Sequence, residues 1–341
     1  MNLPVNSAPW LVTGATGHIG NVLVRQLLKR GENVRALIPH GESRAPLAGL
    51  SLEAVEGDVL DASILREAMR GVRGVFHLAG VISIMPGADP LMRRVNVDGT
   101  KNIIEAARRM RVPKLIYTSS IHAIQRIGQG VIDEALPYDP HNPYGEYDRS
   151  KAEAALEAQA AARAGLDVVI TCPTGVIGPY DFRGSMMGDF IRCAAEQRPT
   201  LYVDGAYDFV DVRDVAGGLI AAAGRGRRGE SYILSGQRLS IRHLLETIRA
   251  LTGGRTFRMQ IPFNLARFAA YFTPVLYRLA RSTPRFTPYS LEVLQSNSNI
   301  SHNKAKRELG YQPRPLHESI TDAVRWYLRS KHLLFSDIGI H

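Results

Sequence analysis

The run Thr13-Gly14-Ala15-Thr16-Gly17-His18-Ile19-Gly20 separates a short apolar stretch, Trp10-Leu11-Val12, from a segment in which Ile19, Val22, Leu23, Leu27 and Leu28 recur at helical spacing. Glycines spaced G-x-x-G-x-x-G between a strand and a helix allow a tight turn, close approach of the backbone to a pyrophosphate, and close packing of helix on strand. The helix N-terminus adds free N–H groups and a partial positive charge, both suited to phosphate. Alone such a motif is weak evidence. At the head of a strand–helix alternation it is strong. Gly14, Thr16, Gly17, His18, Ile19 and Gly20 are therefore candidate contacts for a dinucleotide.

The alternation continues. Strand patterns at Asn33–Ile38, Gly74–Leu78, Lys114–Thr118 and Asp167–Thr171 are interleaved with helical patterns at Ser63–Met69, Val97–Arg109 and Tyr147–Ala164. Nearly continuous apolar strands separated by helices predict an α/β fold, a doubly wound parallel sheet covered on both faces. After Pro179 the loops lengthen and Pro, Arg and aromatic residues increase. This predicts a dinucleotide-binding domain over 8–178 and a smaller substrate-binding domain over 179–207 and 237–330. Residues 208–236 are expected to return to the main sheet, through Phe209-Val210-Asp211-Val212 and Tyr232-Ile233-Leu234.

Two further segments fit a dinucleotide. Asp58 and Val59 of Gly57-Asp58-Val59 follow the strand Leu52–Val55, where a carboxylate can accept from an adenine amino group. Leu78, Ala79 and Gly80 close the strand that ends in His77, and ligands of open α/β sheets lie at such carboxyl ends. NAD binders place an acid about 20 residues past the glycines to hold the ribose 2′-hydroxyl. Ile38 and Pro39 stand there instead, with Arg35, His40 and Arg44 nearby, so the balance tips toward NADP(H), and Arg35 joins the cofactor candidates.

Tyr147 and Lys151 are four apart at the start of a helical pattern, so they share a face. A free phenol titrates near 10, and a neighbouring ammonium favours its ionised form. Tyr147 could then exchange a proton with an alcohol or a carbonyl oxygen. Ser119 and Ser120 follow a strand, where a hydroxyl could hydrogen-bond the reacting oxygen, and Asn96 could hold a water or a backbone group behind Lys151.

With these pieces assembled, the chain resembles the extended short-chain dehydrogenase/reductase family, also called the NAD-dependent epimerase/dehydratase family. TGATGHIG (13–20), GDV (57–59), HLAG (77–80), NVDGT (96–100), YTSS (117–120), YDRSK (147–151) and CPTGVIGP (172–179) occur in the family's order. The resemblance implies a catalytic set of Ser120, Tyr147 and Lys151 supported by Asn96, with Pro173 and Val176 beside the nicotinamide and a hydride moving between the nicotinamide and substrate carbon. Ile116–His122, the apolar run from Ile261 to Ala280 and Lys304–Tyr311 look most like the 3β-hydroxysteroid dehydrogenase and dihydroflavonol-reductase-like branch. Nucleotide-sugar epimerases tend to carry an Arg where this chain has Tyr207, and an Asn where it has Gly175. Loss of that Arg removes charge-assisted hydrogen bonds to a diphosphate. The expected substrate is thus an uncharged or lipophilic alcohol or ketone of the steroid, terpenoid, polyketide or flavonoid kind. A nucleotide-sugar epimerase or dehydratase with tightly bound NAD is the alternative, and a non-catalytic dinucleotide sensor fits less well because it needs no proton relay. A homodimer also follows by resemblance.

Substrate contacts are expected from Ser83, Ile84 and Met85 after the HLAG strand, from His122, from Met186, Met187 and Phe190, and from Tyr207. Residues 262–281 are apolar with interspersed Arg267, Arg278 and Arg281 and a break at Pro274. They read as short helices over the pocket, or as a peripheral membrane contact. The net charge of +10 is spread along the chain, so nucleic acid is not an expected partner. Cys172 and Cys193 have no neighbours at ligand spacing, which predicts reduced thiols and no metal. Met1–Ala8 lacks a basic region followed by an apolar run, so the expected location is the cytoplasm, with membrane association left to the 262–281 run.

Overall fold

The computed structural model describes residues 8–83, 90–254, 258–269 and 287–330. The chain begins with β1 (Trp10–Thr13), α1 (His18–Lys29), β2 (Val34–Ile38), β3 (Glu53–Glu56), α2 (Ala62–Ala68) and β4 (Gly74–His77). A short helix α3 (Pro90–Arg93) and a π-helical turn over Arg94–Asp98 lead into α4 (Gly99–Arg109), followed by β5 (Leu115–Thr118), α5 (Glu146–Arg163), β6 (Val168–Pro173) and β7 (Gly175–Ile177). Next come α6 (Met186–Ala195), β8 (Thr200–Tyr202), β9 (Ala206–Asp211), α7 (Val212–Arg225), β10 (Ser231–Leu234), β11 (Gln237–Ser240), α8 (Ile241–Thr252) and β12 (Arg258–Gln260). Helices α9 (263–269), α10 (Pro288–Gln295), α11 (Asn303–Leu309) and α12 (Leu316–Arg329) complete the described chain.

The main sheet has seven parallel strands in the order β10-β6-β5-β4-β1-β2-β3. Alternate side chains explain its two coats. Leu11, Val75, Leu115, Val168 and Ile170 pack on one face against residues of α4 and α5, and Val12, Phe76, Ile116 and Val169 pack on the other against α1 and α7. Both faces are buried, which is why the strands read as continuous apolar runs. Ala152, Ala155 and Ala158 of α5 are fully buried, and their small side chains let this helix lie close on the sheet. The strand order reverses between β1 and β4, with Thr13 paired to His77 at the carboxyl ends. A crevice at that reversal is where this architecture takes its ligand.

One expectation needs correction. Tyr232-Ile233-Leu234 joins the main sheet beside β6, and α7 packs on α1, but Phe209-Val210-Asp211 does not enter that sheet. It forms the centre of a separate three-stranded sheet, β11-β9-β7. An apolar strand is equally at home in either sheet, and the partners Gly175–Ile177 and Gln237–Ser240 are distant in sequence. Helices α8, α10 and α12 pack against this small sheet, α6 packs on α8 and α12, and β12 pairs with β8. Among the described residues no helix is long and apolar enough to cross a membrane.

Candidate active site

The glycine loop is built by close backbone contacts. Gly14 has φ +67°, and a Cβ there would lie 2.8 Å from Ala79 N; a Cβ on Gly20 would lie 2.0 Å from the Gly14 carbonyl oxygen. Gly17 precedes α1 and no side chain caps that helix end. The loop, the uncapped N–H groups and the strand ends Leu78-Ala79-Gly80 form a cradle fit for a pyrophosphate. Gly20→Ala is expected to weaken dinucleotide binding at least ~10-fold and to lower stability by roughly 2 kcal/mol or more, as titration of the cofactor and urea unfolding would read.

His77, which no local motif marks as functional, holds this edge together. Thr100 donates to the Asn96 carbonyl (2.6 Å), so its hydroxyl accepts from His77 Nε2–H (3.0 Å). Thr13 Oγ1 accepts from Leu78 N and Ala79 N and lies 2.8 Å from His77 Nδ1. His77 is therefore neutral, with its proton on Nε2. Burial pushes its pKa down to about 3. The unfolded imidazole takes a proton below about 6.5 while the folded one does not, so stability falls as pH drops from about 6.5 toward 3, by roughly 1.4 kcal/mol per unit from this group. His77→Gln keeps one acceptor and one donor without titrating, and should flatten that part of a stability profile measured by denaturant against pH.

Strand β5 ends at Thr118, and α5 begins at Glu146, with its side chains facing that end. Lys151 Nζ donates to Thr118 O at 3.0 Å, and a Cβ on Gly80 would lie 3.3 Å from the same ammonium. The ammonium thus faces the β4 exit with donors to spare. Burial brings its pKa down to about 8. Asn96 bonds Val81 through both its amide atoms (2.8 and 3.0 Å) and donates to Ser150 Oγ at 3.0 Å, so the π-helical turn ties the β4 exit to α5. Of the water or backbone group expected to be held by Asn96, the structure shows the backbone of Val81.

Tyr147 is half-buried, and Ser120 is buried within hydrogen-bonding reach of its phenol. By sequence, Lys151 and the positive ring of an oxidised nicotinamide together favour the ionised phenol. Burial of the phenol within the protein acts the other way and pushes it up to about 12, opposed by the Ser120 hydroxyl. Beside it stands a cluster the sequence did not reveal. Asp148 is fully buried and takes hydrogen bonds from Arg126 and from the Tyr289 hydroxyl, each at 2.6 Å. Arg126 also donates to His122 Nδ1 (3.0 Å), which leaves His122 Nε2–H to donate to the Tyr207 hydroxyl (2.9 Å). The His122 ring stacks on Tyr207 and meets Tyr147 edge-on. Arg126 further borders a cavity of about 400 Å³, lined also by Tyr144, Phe263, Arg267, Leu291 and Glu292.

The remaining expected contacts fall variously. Pro173 and Val176 lie at the end of β6 and in β7, beside the carboxyl edge of the main sheet. Asp58 accepts from Leu60 N (2.8 Å), and buried Val59 fills the space before Gly99. His18 Nε2 meets Pro179 O at 3.0 Å. Arg35 is a correction. It sits near the amino end of β2, ion-paired to Glu53 and donating to the carbonyls of Ala68 and Arg70, whereas the cofactor edge lies three residues on at Ile38. Met187 and Phe190 are half-buried against the core, and Met186 is exposed. Ser83 is half-buried; Ile84, Met85 and residues 270–281 of the apolar run lie outside the described residues. Within α9, Leu265 and Phe268 are exposed.

A parallel sheet with a glycine loop at its switch point, and a serine, tyrosine and lysine gathered at the next strand ends, defines a nicotinamide-dinucleotide-dependent enzyme of the extended short-chain dehydrogenase/reductase type. The chain belongs to the NAD dependent epimerase/dehydratase family, whose model matches residues 10–235. It is 38% identical over 319 residues to a sterol demethylase protein B of Methylococcus capsulatus, covering 93% of this chain and 97% of that one. It is 30% identical to a 3β-hydroxysteroid dehydrogenase/Δ5→4-isomerase of Mycobacterium tuberculosis, covering 93% and 90%. Among solved structures it resembles a dTDP-glucose 4,6-dehydratase of Streptomyces venezuelae with NAD bound, with a TM-score of 0.78, 25% identity, and coverage of 95% and 98%.

Proposed function

We propose that this protein interconverts a secondary alcohol and a ketone on an uncharged, lipophilic ring system of the sterol or steroid kind. The wall beside the phenol carries the reading. Where nucleotide-sugar enzymes resembling this chain carry an Arg, Tyr207 stacks on His122, and the guanidinium of Arg126 is spent on buried Asp148. A diphosphate gains little from such a wall, because buried paired charges offer no free counter-charge. An aromatic wall whose charges are paired suits a ring system, and a neighbouring cavity of about 400 Å³ is within the range of small-molecule sites. Relatives named for sterol and steroid chemistry support the same class.

In this reading Tyr147 exchanges a proton with the substrate oxygen, Ser120 hydrogen-bonds that oxygen, and Lys151 binds ribose hydroxyls with the donors that Thr118 leaves unused. Asn96 positions Lys151 by tying α5 to the β4 exit. The bound nicotinamide supplies the hydride chemistry. At neutral pH Tyr147 carries its proton, the form from which a phenol can donate to a carbonyl oxygen. The cations considered for a 2′-phosphate are paired with acids, Arg35 with Glu53 and both His40 and Arg44 with Glu56, which weakens the case for NADP(H). A homodimer and a membrane contact through 262–281 remain parts of the proposal, read by sedimentation and by vesicle flotation.

The test offers the purified protein a sterol or steroid with a secondary ring hydroxyl, or the matching ketone, with each nicotinamide dinucleotide, and follows cofactor absorbance and product mass. Net, stoichiometric change of cofactor and steroid is expected. Turnover of a nucleotide sugar with no net change in cofactor, and none of any steroid or other lipophilic alcohol, would overturn the reading in favour of an epimerase or dehydratase.

A further inference from the structure

The hydrogen bonds beside Tyr147 run in one direction. Buried Asp148 accepts from the Tyr289 hydroxyl and from an Arg126 N–H, each at 2.6 Å. A guanidinium can only donate, and the other hydrogen of the same Arg126 nitrogen goes to His122 Nδ1 at 3.0 Å. His122 therefore carries a hydrogen on Nε2 and donates it to the Tyr207 hydroxyl at 2.9 Å. The Tyr207 oxygen is thus an acceptor, and its own hydrogen points elsewhere. Among the described residues nothing receives that hydrogen. Tyr207 is only 8% exposed, and a buried donor without a partner is costly unless a bound molecule supplies one.

The surroundings fit a ligand. Gly175 of β7 makes room for the Tyr207 ring, since a Cβ there would lie 3.0 Å from Tyr207 Cδ1. The His122 ring has Tyr147 at 6.1 Å and Tyr207 at 5.9 Å, centre to centre, so the two phenols flank one imidazole. A fused ring system that reacts at Tyr147 is long enough to meet Tyr207 as well. We propose that Tyr207 is a specificity-determining donor, whose O–H takes a second oxygen of the substrate, a keto or hydroxyl oxygen distinct from the one that reacts. The inference rests on the alcohol–ketone reading above and adds that the preferred substrate carries two oxygens. A single neutral O–H suits such an oxygen. A phosphate at this point would need a counter-charge, and Arg126 has spent its own on Asp148.

The experiment measures kcat/KM at saturating dinucleotide for the wild type and Tyr207→Phe, with thermal unfolding to confirm that each is folded. The probes are a steroid whose single oxygen is a secondary 3-hydroxyl, and the same alcohol bearing one added ketone, placed in turn on each of the four rings. The wild type is expected to prefer at least one keto alcohol over the plain alcohol by at least ~10-fold, and Tyr207→Phe to erase that preference by lowering kcat/KM for the keto alcohol alone. A variant that merely loosens the wall, through its lost bond to His122, would lower both kinds of substrate alike. Equal losses, a folded Tyr207→Phe protein that keeps the preference, or a wild type that prefers no keto alcohol overturns the role of Tyr207 while leaving the alcohol–ketone reading intact. The wild-type comparison stands whatever the variant does. A folded wild type that binds dinucleotide and turns over none of these alcohols overturns the alcohol–ketone reading itself, and the inference with it.

Discussion

Tyr147→Phe is expected to lower turnover by ~10²–10⁴-fold while changing the dissociation constant of the dinucleotide by less than about twofold. The phenol is the titratable group within hydrogen-bonding reach of Ser120. Removing one oxygen leaves the ring, its edge contact with His122 and the α5 backbone as they were. Cofactor binding relies on the glycine loop and Lys151, so it should survive. The readout is a split: kcat falls and cofactor affinity stays. A folded Tyr147→Phe protein that turns over its substrate at near-normal rate would leave the proposed proton transfer without its donor.

Lys151→Met should separate function from stability. Burial holds the ammonium at about 8, against an ordinary value of 10.5. The folded state thus binds this proton less well than the unfolded chain. Stability from this group is full above about 10.5 and is lost as pH falls through 8, so at pH 7 the buried charge costs roughly 3 kcal/mol. Met fills similar space without the charge. It also forfeits the bond to Thr118 O and leaves that carbonyl short of a partner, which returns roughly 1–3 kcal/mol. The variant is therefore expected to be as stable as the wild type at pH 7 or up to ~2 kcal/mol more so. The wild type should regain ground on it between pH 8 and 10, a difference in which the many buried tyrosines cancel. Turnover should drop at least ~10²-fold and dinucleotide affinity about 10-fold, since the ribose loses its donor. Denaturant curves for the two proteins across pH, with cofactor titrations, read both halves. A Lys151→Met protein much less stable than the wild type, with unchanged cofactor affinity, would mean that the lysine is a structural strut.

Those two residues were legible in the chain because helical spacing puts positions four apart on one face, whatever the rest of the fold does. The glycine loop was legible for a similar reason: its chemistry lies within eight consecutive residues. The buried His77 was not, because its roles depend on Thr13 and Thr100 from other elements. The cluster of His122, Arg126, Asp148, Tyr207 and Tyr289 draws on four separate segments, so only folding assembles it. The upward push of burial on the Tyr147 phenol was not legible either, because it depends on the side chains that fold around it.

Cofactor choice shows the same division. Positions 38 and 39 carry no acid, and the cations nearby in sequence favour a 2′-phosphate only if they act at the strand end. Register carries Arg35 away from that edge, and the turn after β2 brings the Glu42 carboxylate to Thr16 of the glycine loop. By itself the sequence determined the parallel sheet, the dinucleotide loop and the tyrosine–lysine pair, because strand and helix periodicity and short glycine spacings are local properties of the backbone. Only the tertiary structure decided which sheet received Phe209–Asp211, which charges were already spent, and which carboxylate faces the glycine loop. Those depend on partners distant along the chain, and burial sets their energies.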